Sequence, residues 1–484
     1  MVVGLVATPF LLRWLGEARF GAFRALSDCL GYLALLELGR GGALVPMLLR
    51  AMGQGNEVGV RKTLAAGFRG YGRTTLLMLV GEVLIFLLVP TIVPLSQGAW
   101  ELRAAVLCSI LGILCTPVVP TRLLLETSQR GYVVNLINIA QSLLVTSLSL
   151  AFAWRGFGIP GQSIASSIGV VAAALLIFVL GIKNYPGLIQ ALTGPVDAEA
   201  EGALRRLSWP TVLLQASSQV SVLSDNLVIS AIMGPSLVVP FAVTQRLVGV
   251  VGMQIRGVSS ATSAQLASLF FSGDVAAFRQ RFLELLKLAT ILCFSAFGPV
   301  LAFNAQFVAK WLGPTRFGGE ILSALACVAA FALVLMNLFD LMMGSTGHVR
   351  ERVPLAAVSG VINIFASVGL TLQFKLWGPI LGTLVALITV NAWWYPRLLN
   401  QIFGLTLGML SKACVPTSLI GALFTTALWR WAHVHVCQSW IDMFAEMAGA
   451  GLLFLALAWV LLLTSTERDF WRARLRIQWN GKRK

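Results

Sequence analysis

The sequence predicts an all-α polytopic membrane protein of about fourteen transmembrane helices, and three observations lead there. Of 484 residues, 57% are hydrophobic and only 12% are charged, against about a quarter charged in a water-soluble domain. Long runs contain no Asp, Glu, Lys or Arg at all, among them 131–154, 156–182, 353–374 and 376–396; a bilayer core needs roughly 20 such residues per helix. These runs do not alternate apolar with polar residues as a membrane barrel would. A helix satisfies its own backbone N–H and C=O groups within the segment, which hydrocarbon demands.

Taken in order, the first apolar stretch, residues 1–12, reaches only about 18 Å as a helix, too short to cross. It has neither the basic start nor the small-residue cleavage site of a signal peptide, so the expectation is a first helix that is incomplete in this chain. Thirteen further segments follow at 21–50, 70–95, 100–125, 132–154, 158–183, 207–233, 236–258, 282–306, 319–346, 351–374, 376–399, 411–432 and 443–464. A connector at 184–206 and a basic tail at 465–484 complete the chain.

The net charge of +16 is a matter of topology rather than of nucleic-acid binding. Alternate loops and the tail carry 25 Lys and Arg residues against 9 in the opposite set, so both termini are expected in the cytoplasm. No loop is long enough for a soluble catalytic domain. The seven cysteines lack any CxxC spacing and read as small core residues. The stretch His433, His435, Cys437 reads as an outer loop rather than a metal site.

Charges inside membrane helices are the informative positions, because each costs about 2.5–3.5 kcal/mol near the bilayer centre. This chain keeps Asp28, Glu37 and Arg40 in the second segment, Glu82 in the third, Asp225 in the seventh, Arg246 in the eighth and Asp340 in the tenth. They are expected to face the protein interior or a wet cavity. Glu37 and Arg40, three apart, would share a helix face, either as a structural ion pair or as part of a polar cavity. Arg40 and Arg246 suit a diphosphate, since a guanidinium donates two parallel hydrogen bonds and stays charged. Asn226, Gln215, Gln219 and Gln245 supply partners for sugar hydroxyls. Asp340, with Asn337 one turn before it, is either a cation-coupling carboxylate or an interhelical hydrogen-bond partner.

Two nonapeptides repeat: Arg13-Trp-Leu-Gly-Glu-Ala-Arg-Phe-Gly21 and Lys310-Trp-Leu-Gly-Pro-Thr-Arg-Phe-Gly318 share six of nine residues. A fainter match sets Leu15-Gly16 and Phe23 against Met233-Gly234 and Phe241, as two six-helix repeats would. The stretch Leu11-Leu-Arg-Trp-Leu-Gly16, then Phe20-Gly-Ala-Phe23, Leu35-Leu-Glu-Leu-Gly39 and Gly41-Gly-Ala-Leu44, resembles the opening of the polysaccharide-exporting, O-antigen-type lipid flippases. Ser224-Asp-Asn-Leu-Val-Ile229, Met233-Gly-Pro235, Phe241, Gln245-Arg-Leu247 and Trp311-Leu-Gly-Pro314 are similar to later motifs of the same family. Glu37 stands where that family usually has Asp, and Phe241 where it has Tyr.

The resemblance implies membership of the multidrug/oligosaccharidyl-lipid/polysaccharide exporter superfamily. It implies two six-helix lobes in a V, here 1–183 and 207–400, with two more helices in 401–464. It further implies a bacterial inner-membrane flippase for undecaprenyl-diphosphate-linked oligosaccharide that uses no cofactor beyond an H+ or Na+ gradient. Its substrate-binding residues would be Arg40, Arg246, Asp28, Glu37, Asp225, Asn226 and Gln245, and its partners the lipid-linked substrate, the bilayer, and a polymerase with other assembly proteins. A multidrug exporter of the same superfamily, or a membrane polymerase or glycosyltransferase, is the alternative. An enzyme of that kind needs a long outward loop rich in carboxylates or arginines, and the outward loops are short.

Overall fold

The computed structural model describes residues 2–95, 98–194, 197–464 and 467–468; most of the expected basic tail and the side chain of Gln215 lie outside the described residues. Every regular element among them is helical. Eight helices are long and apolar enough to cross a membrane, or up to ten if each of two bent pairs is one span. Two of the eight, Ala99–Trp154 and Arg350–Phe403, run to 56 and 54 residues, more than twice a single crossing. Each is interrupted by a residue with positive φ, Gln129 at 59° and Lys375 at 52°. Length and composition therefore do not by themselves establish the expected fourteen.

Three helices begin well before their expected starts: Glu57–Ile92, Ala198–Met233 and Val275–Leu312. Each starts on an Asx residue whose side chain caps free amides of the first turn. Asn56 accepts from Gly59 N at 2.8 Å, Asp197 from Glu199 N at 2.9 Å, and Asp274 from Ala277 N at 2.9 Å. Such caps relieve donors that a helix start otherwise leaves unpaired. Polar connecting stretches thus form extra helical turns, and Glu57–Ile92 reaches 36 residues, about 54 Å at 1.5 Å each.

The glycines of these repeated motifs have a backbone cause. Gly16, Gly234 and Gly313 sit at φ/ψ of 77°/164°, 96°/155° and 97°/152°, a conformation closed to residues with a Cβ. Each follows one helix and starts the next.

The chain packs into two compact units, Met1–Ala242 with Arg352–Ala386, and Val243–Glu351 with Leu387–Lys484. These are groupings by packing; the expected lobes divide the chain by repeat. In the first unit, Ala22, Leu26, Val89, Leu102, Val106 and Ile159 form a fully buried cluster joining four helices. Along Glu57–Ile92, Leu76, Val80, Val83 and Leu87 are 57–65% exposed. Their spacing of four, three and four marks one helix face, while Thr74, Met78, Glu82 and Val89 are buried. Apolar outside and polar inside is the pattern of a helix solvated by lipid. In the second unit, the fully buried Asn304 donates 2.8 Å hydrogen bonds to the Thr244 carbonyl and the Ser323 hydroxyl.

Within the first unit, Val353–Phe374 and Gly378–Ala386 pack backbone against backbone. A Cβ on Gly382 would lie 2.5 Å from Ser367 N and 2.6 Å from Ser367 Cα. Gly382→Leu is therefore expected to abolish the monodisperse folded peak in detergent size-exclusion chromatography. Val80→Leu, on the lipid face, should leave that peak unchanged.

Candidate functional site

The second predicted segment is a broken helix: Glu17–Glu37 and Arg40–Gly53 meet at 46°. The break lies at Leu38 and Gly39, both left-handed with φ of 52° and 67°. A left-handed leucine is strained by about 1–3 kcal/mol and persists only where its surroundings impose it. The break corrects one expectation. Glu37 and Arg40 lie on opposite sides of it, no longer share a helix face, and make no side-chain ion pair among the described residues.

Each instead turns to the helix Glu57–Ile92. The Glu37 carboxylate accepts from the fully buried Tyr71 hydroxyl at 3.4 Å. Arg40 donates to the Thr74 hydroxyl and to the Glu37 carbonyl at 3.3 Å. Its stem lies on Gly70, where a Cβ would come within 3.2 Å of Arg40 Cδ. Beside Arg40 opens a cavity of about 260 Å3 whose lining includes Arg73, Arg205, Glu201 and Ser208. Arg73 and Glu201 form an ion pair. Nearby, Lys62 contacts Asp197 at 2.5 Å; its hydrogen bond, then that from Ala200 N–H, hold the Asp197 carboxyl below the usual carboxylate range.

Asp28 and Asn226, far apart in sequence, meet: Asn226 Nδ2 donates to the Asp28 carboxylate at 2.6 Å. Around this bond the helix Ala198–Met233 presents two buried oxygens without a hydrogen-bond partner, Asp225 Oδ1 and Asn226 Oδ1. Buried acceptors of this kind cost about 1–3 kcal/mol each when left unmade. Their number in one place marks a spot where donors from another molecule would be welcome. Glu82 lies apart and accepts from Ser109.

The second unit holds the remaining candidates. Gln245 and Arg246 sit at another break, where Pro235–Thr244 and Arg246–Gly257 meet at 50°. Arg246, like Arg40, is the first residue after a break. Asp340 accepts from the hydroxyl of Tyr395, so an interhelical hydrogen bond is what the geometry gives it. Tyr71, Thr74, Arg73, Glu201 and Arg205 were not singled out in the sequence; the last three sit in stretches that read as cytoplasmic charge.

No family model matches the chain, and no curated protein aligns with it significantly. The fold is shared with solved structures of a lipid flippase and of several transporters. The lipid II flippase MurJ in an inward closed conformation superposes with a TM-score of 0.73 at 12% identity, over 96% of this chain and 97% of that one. An inward-facing multidrug-resistance MATE transporter gives 0.59 at 16% identity, over 88% and 96%. A MOP superfamily transporter from Pyrococcus furiosus gives 0.55 at 17% identity, over 88% and 93%.

The contact between Gly70 and Arg40 yields a test that leaves the charge in place. Gly70→Leu is expected to push the guanidinium from Thr74 and cut transport at least tenfold at normal protein levels. Gly72→Leu, where a Cβ meets nothing within 4 Å, should be silent in the same assay.

Proposed function

We propose that this protein is a flippase that turns a polyprenyl-diphosphate-linked oligosaccharide from the cytoplasmic to the outer leaflet of a bacterial inner membrane, both termini being cytoplasmic. The observation that carries the proposal is the pair of unpartnered buried acceptors beside Asp28, Asp225 Oδ1 and Asn226 Oδ1. A sugar is a dense array of hydroxyl donors, and few other membrane cargoes offer so many. Arg40, placed at a helix break, supplies the complementary chemistry, because a guanidinium fork matches a phosphate.

In this reading Arg40 and Arg246 hold the diphosphate, Asp28, Asp225, Asn226 and Gln245 bind sugar hydroxyls, and Glu37 is held by Tyr71 to balance charge. The headgroup passes through the protein by alternating access while its lipid tail stays in hydrocarbon. Asp340 is the carboxylate proposed to couple turnover to an H+ or Na+ gradient. A polysaccharide polymerase and other assembly proteins are the proposed partners. The similarity to a lipid II flippase supports a lipid-linked cargo.

A multidrug exporter is the second reading, favoured by the similarity to MATE transporters. An aromatic, mostly acidic cavity would favour it, and the arginines Arg40 and Arg246 count against it. The two readings part in a double variant. Arg40→Ala with Arg246→Ala is expected to lower flipping of the lipid-linked oligosaccharide by about 10–100-fold per charged hydrogen bond lost, at unchanged protein level. Intact flipping in that variant would refute the assignment of the diphosphate to these arginines.

A further inference from the structure

The cavity beside Arg40 contains more cationic side chains than the fold requires. It lies among the helices Arg40–Gly53, Glu57–Ile92 and Ala198–Met233, and its lining brings together Arg40, Arg73 and Arg205 against a single carboxylate, Glu201. Three guanidinium groups sharing one small cavity repel one another, and one carboxylate does not balance them. Arg40 is anchored by Thr74 and by backbone carbonyls. Among the described residues Arg73 is held by Glu201, across to the neighbouring helix. The carboxylate of Glu201 thus occupies the position that an external anion would take, and two further guanidinium groups face the same space.

We infer that this cavity receives the diphosphate of the incoming lipid-linked substrate, with Arg73 and Arg205 as binding residues beside Arg40 and Glu201 as a built-in competitor. This rests on the flippase reading above for the identity of the anion. A diphosphate carries two or more negative charges and several acceptor oxygens, so it satisfies forks that a single carboxylate leaves short. On binding it takes Arg73 from Glu201, which undoes the ion pair between Glu57–Ile92 and Ala198–Met233. On the topology proposed above, these residues lie toward the cytoplasmic end of their helices, where the substrate loads. Binding and the breaking of this ion pair are then a single exchange of anions, with no covalent chemistry.

The test measures binding to the purified full-length chain by calorimetry, with inorganic pyrophosphate, farnesyl diphosphate and phosphatidylglycerol as separate probes. Both diphosphates should bind and phosphatidylglycerol should not displace them. Arg73→Gln and Arg205→Gln should each weaken diphosphate binding by about tenfold or more. Glu201→Gln should tighten it several-fold, a sign that a misfolded variant cannot produce. Unchanged affinity in Arg205→Gln, weaker binding in Glu201→Gln, or equal binding of phosphatidylglycerol would each overturn the site. Diphosphate binding with the expected signs but no flipping of lipid-linked oligosaccharide would sink the functional reading and leave the site standing. Undiminished flipping in the two arginine variants would do the reverse.

Discussion

A polar group inside hydrocarbon must find a partner within the protein or be offered one by a ligand, and this constraint organises the molecule. It makes every described regular element a helix, whose backbone is satisfied internally. It turns Leu76, Val80, Val83 and Leu87 outward and Thr74 and Glu82 inward on one helix. It also explains why most costly charges are paired: Glu37 with Tyr71, Asp28 with Asn226, Asp340 with Tyr395. Against that background, the residues left short of partners carry the functional meaning. They fall into two chemistries in the first unit, an excess of guanidinium groups beside Arg40 and an excess of acceptors around Asp225.

Much of the fold was legible because membrane helices announce themselves by long charge-free runs. The glycines of the repeated motifs were legible too, and their cause is a backbone conformation that only glycine adopts freely. The helix starts were less so. Asn56, Asp197 and Asp274 sit in polar stretches between the apolar runs, and their side chains cap the turn that follows. Hydropathy reports where a helix enters lipid, not where it begins.

The site was legible in its buried charges and illegible in their partners. Asp28, Arg40 and Asp225 stood out because charge in a membrane segment is expensive. Their pairing failed where helical periodicity was assumed through Leu38 and Gly39; the Gly-rich stretch from Gly39 to Gly42 carried a hint of the break. Arg73, Glu201 and Arg205 were hidden for the opposite reason. They lie near helix ends among many basic residues that serve topology, and only the packing of three helices brings them to one cavity.

A broken helix that places an arginine at its bend, and a neighbouring helix that presents unpaired oxygens, suit a cargo with a diphosphate and sugars joined. The most direct measurement is flipping in liposomes reconstituted with the purified chain and a polyprenyl-diphosphate oligosaccharide, read by the access of an impermeant glycosidase to the outer leaflet. The account predicts rapid, protein-dependent exposure of the whole oligosaccharide pool. Exposure no faster than in protein-free liposomes, with active export of a lipophilic cation by the same vesicles, would contradict it.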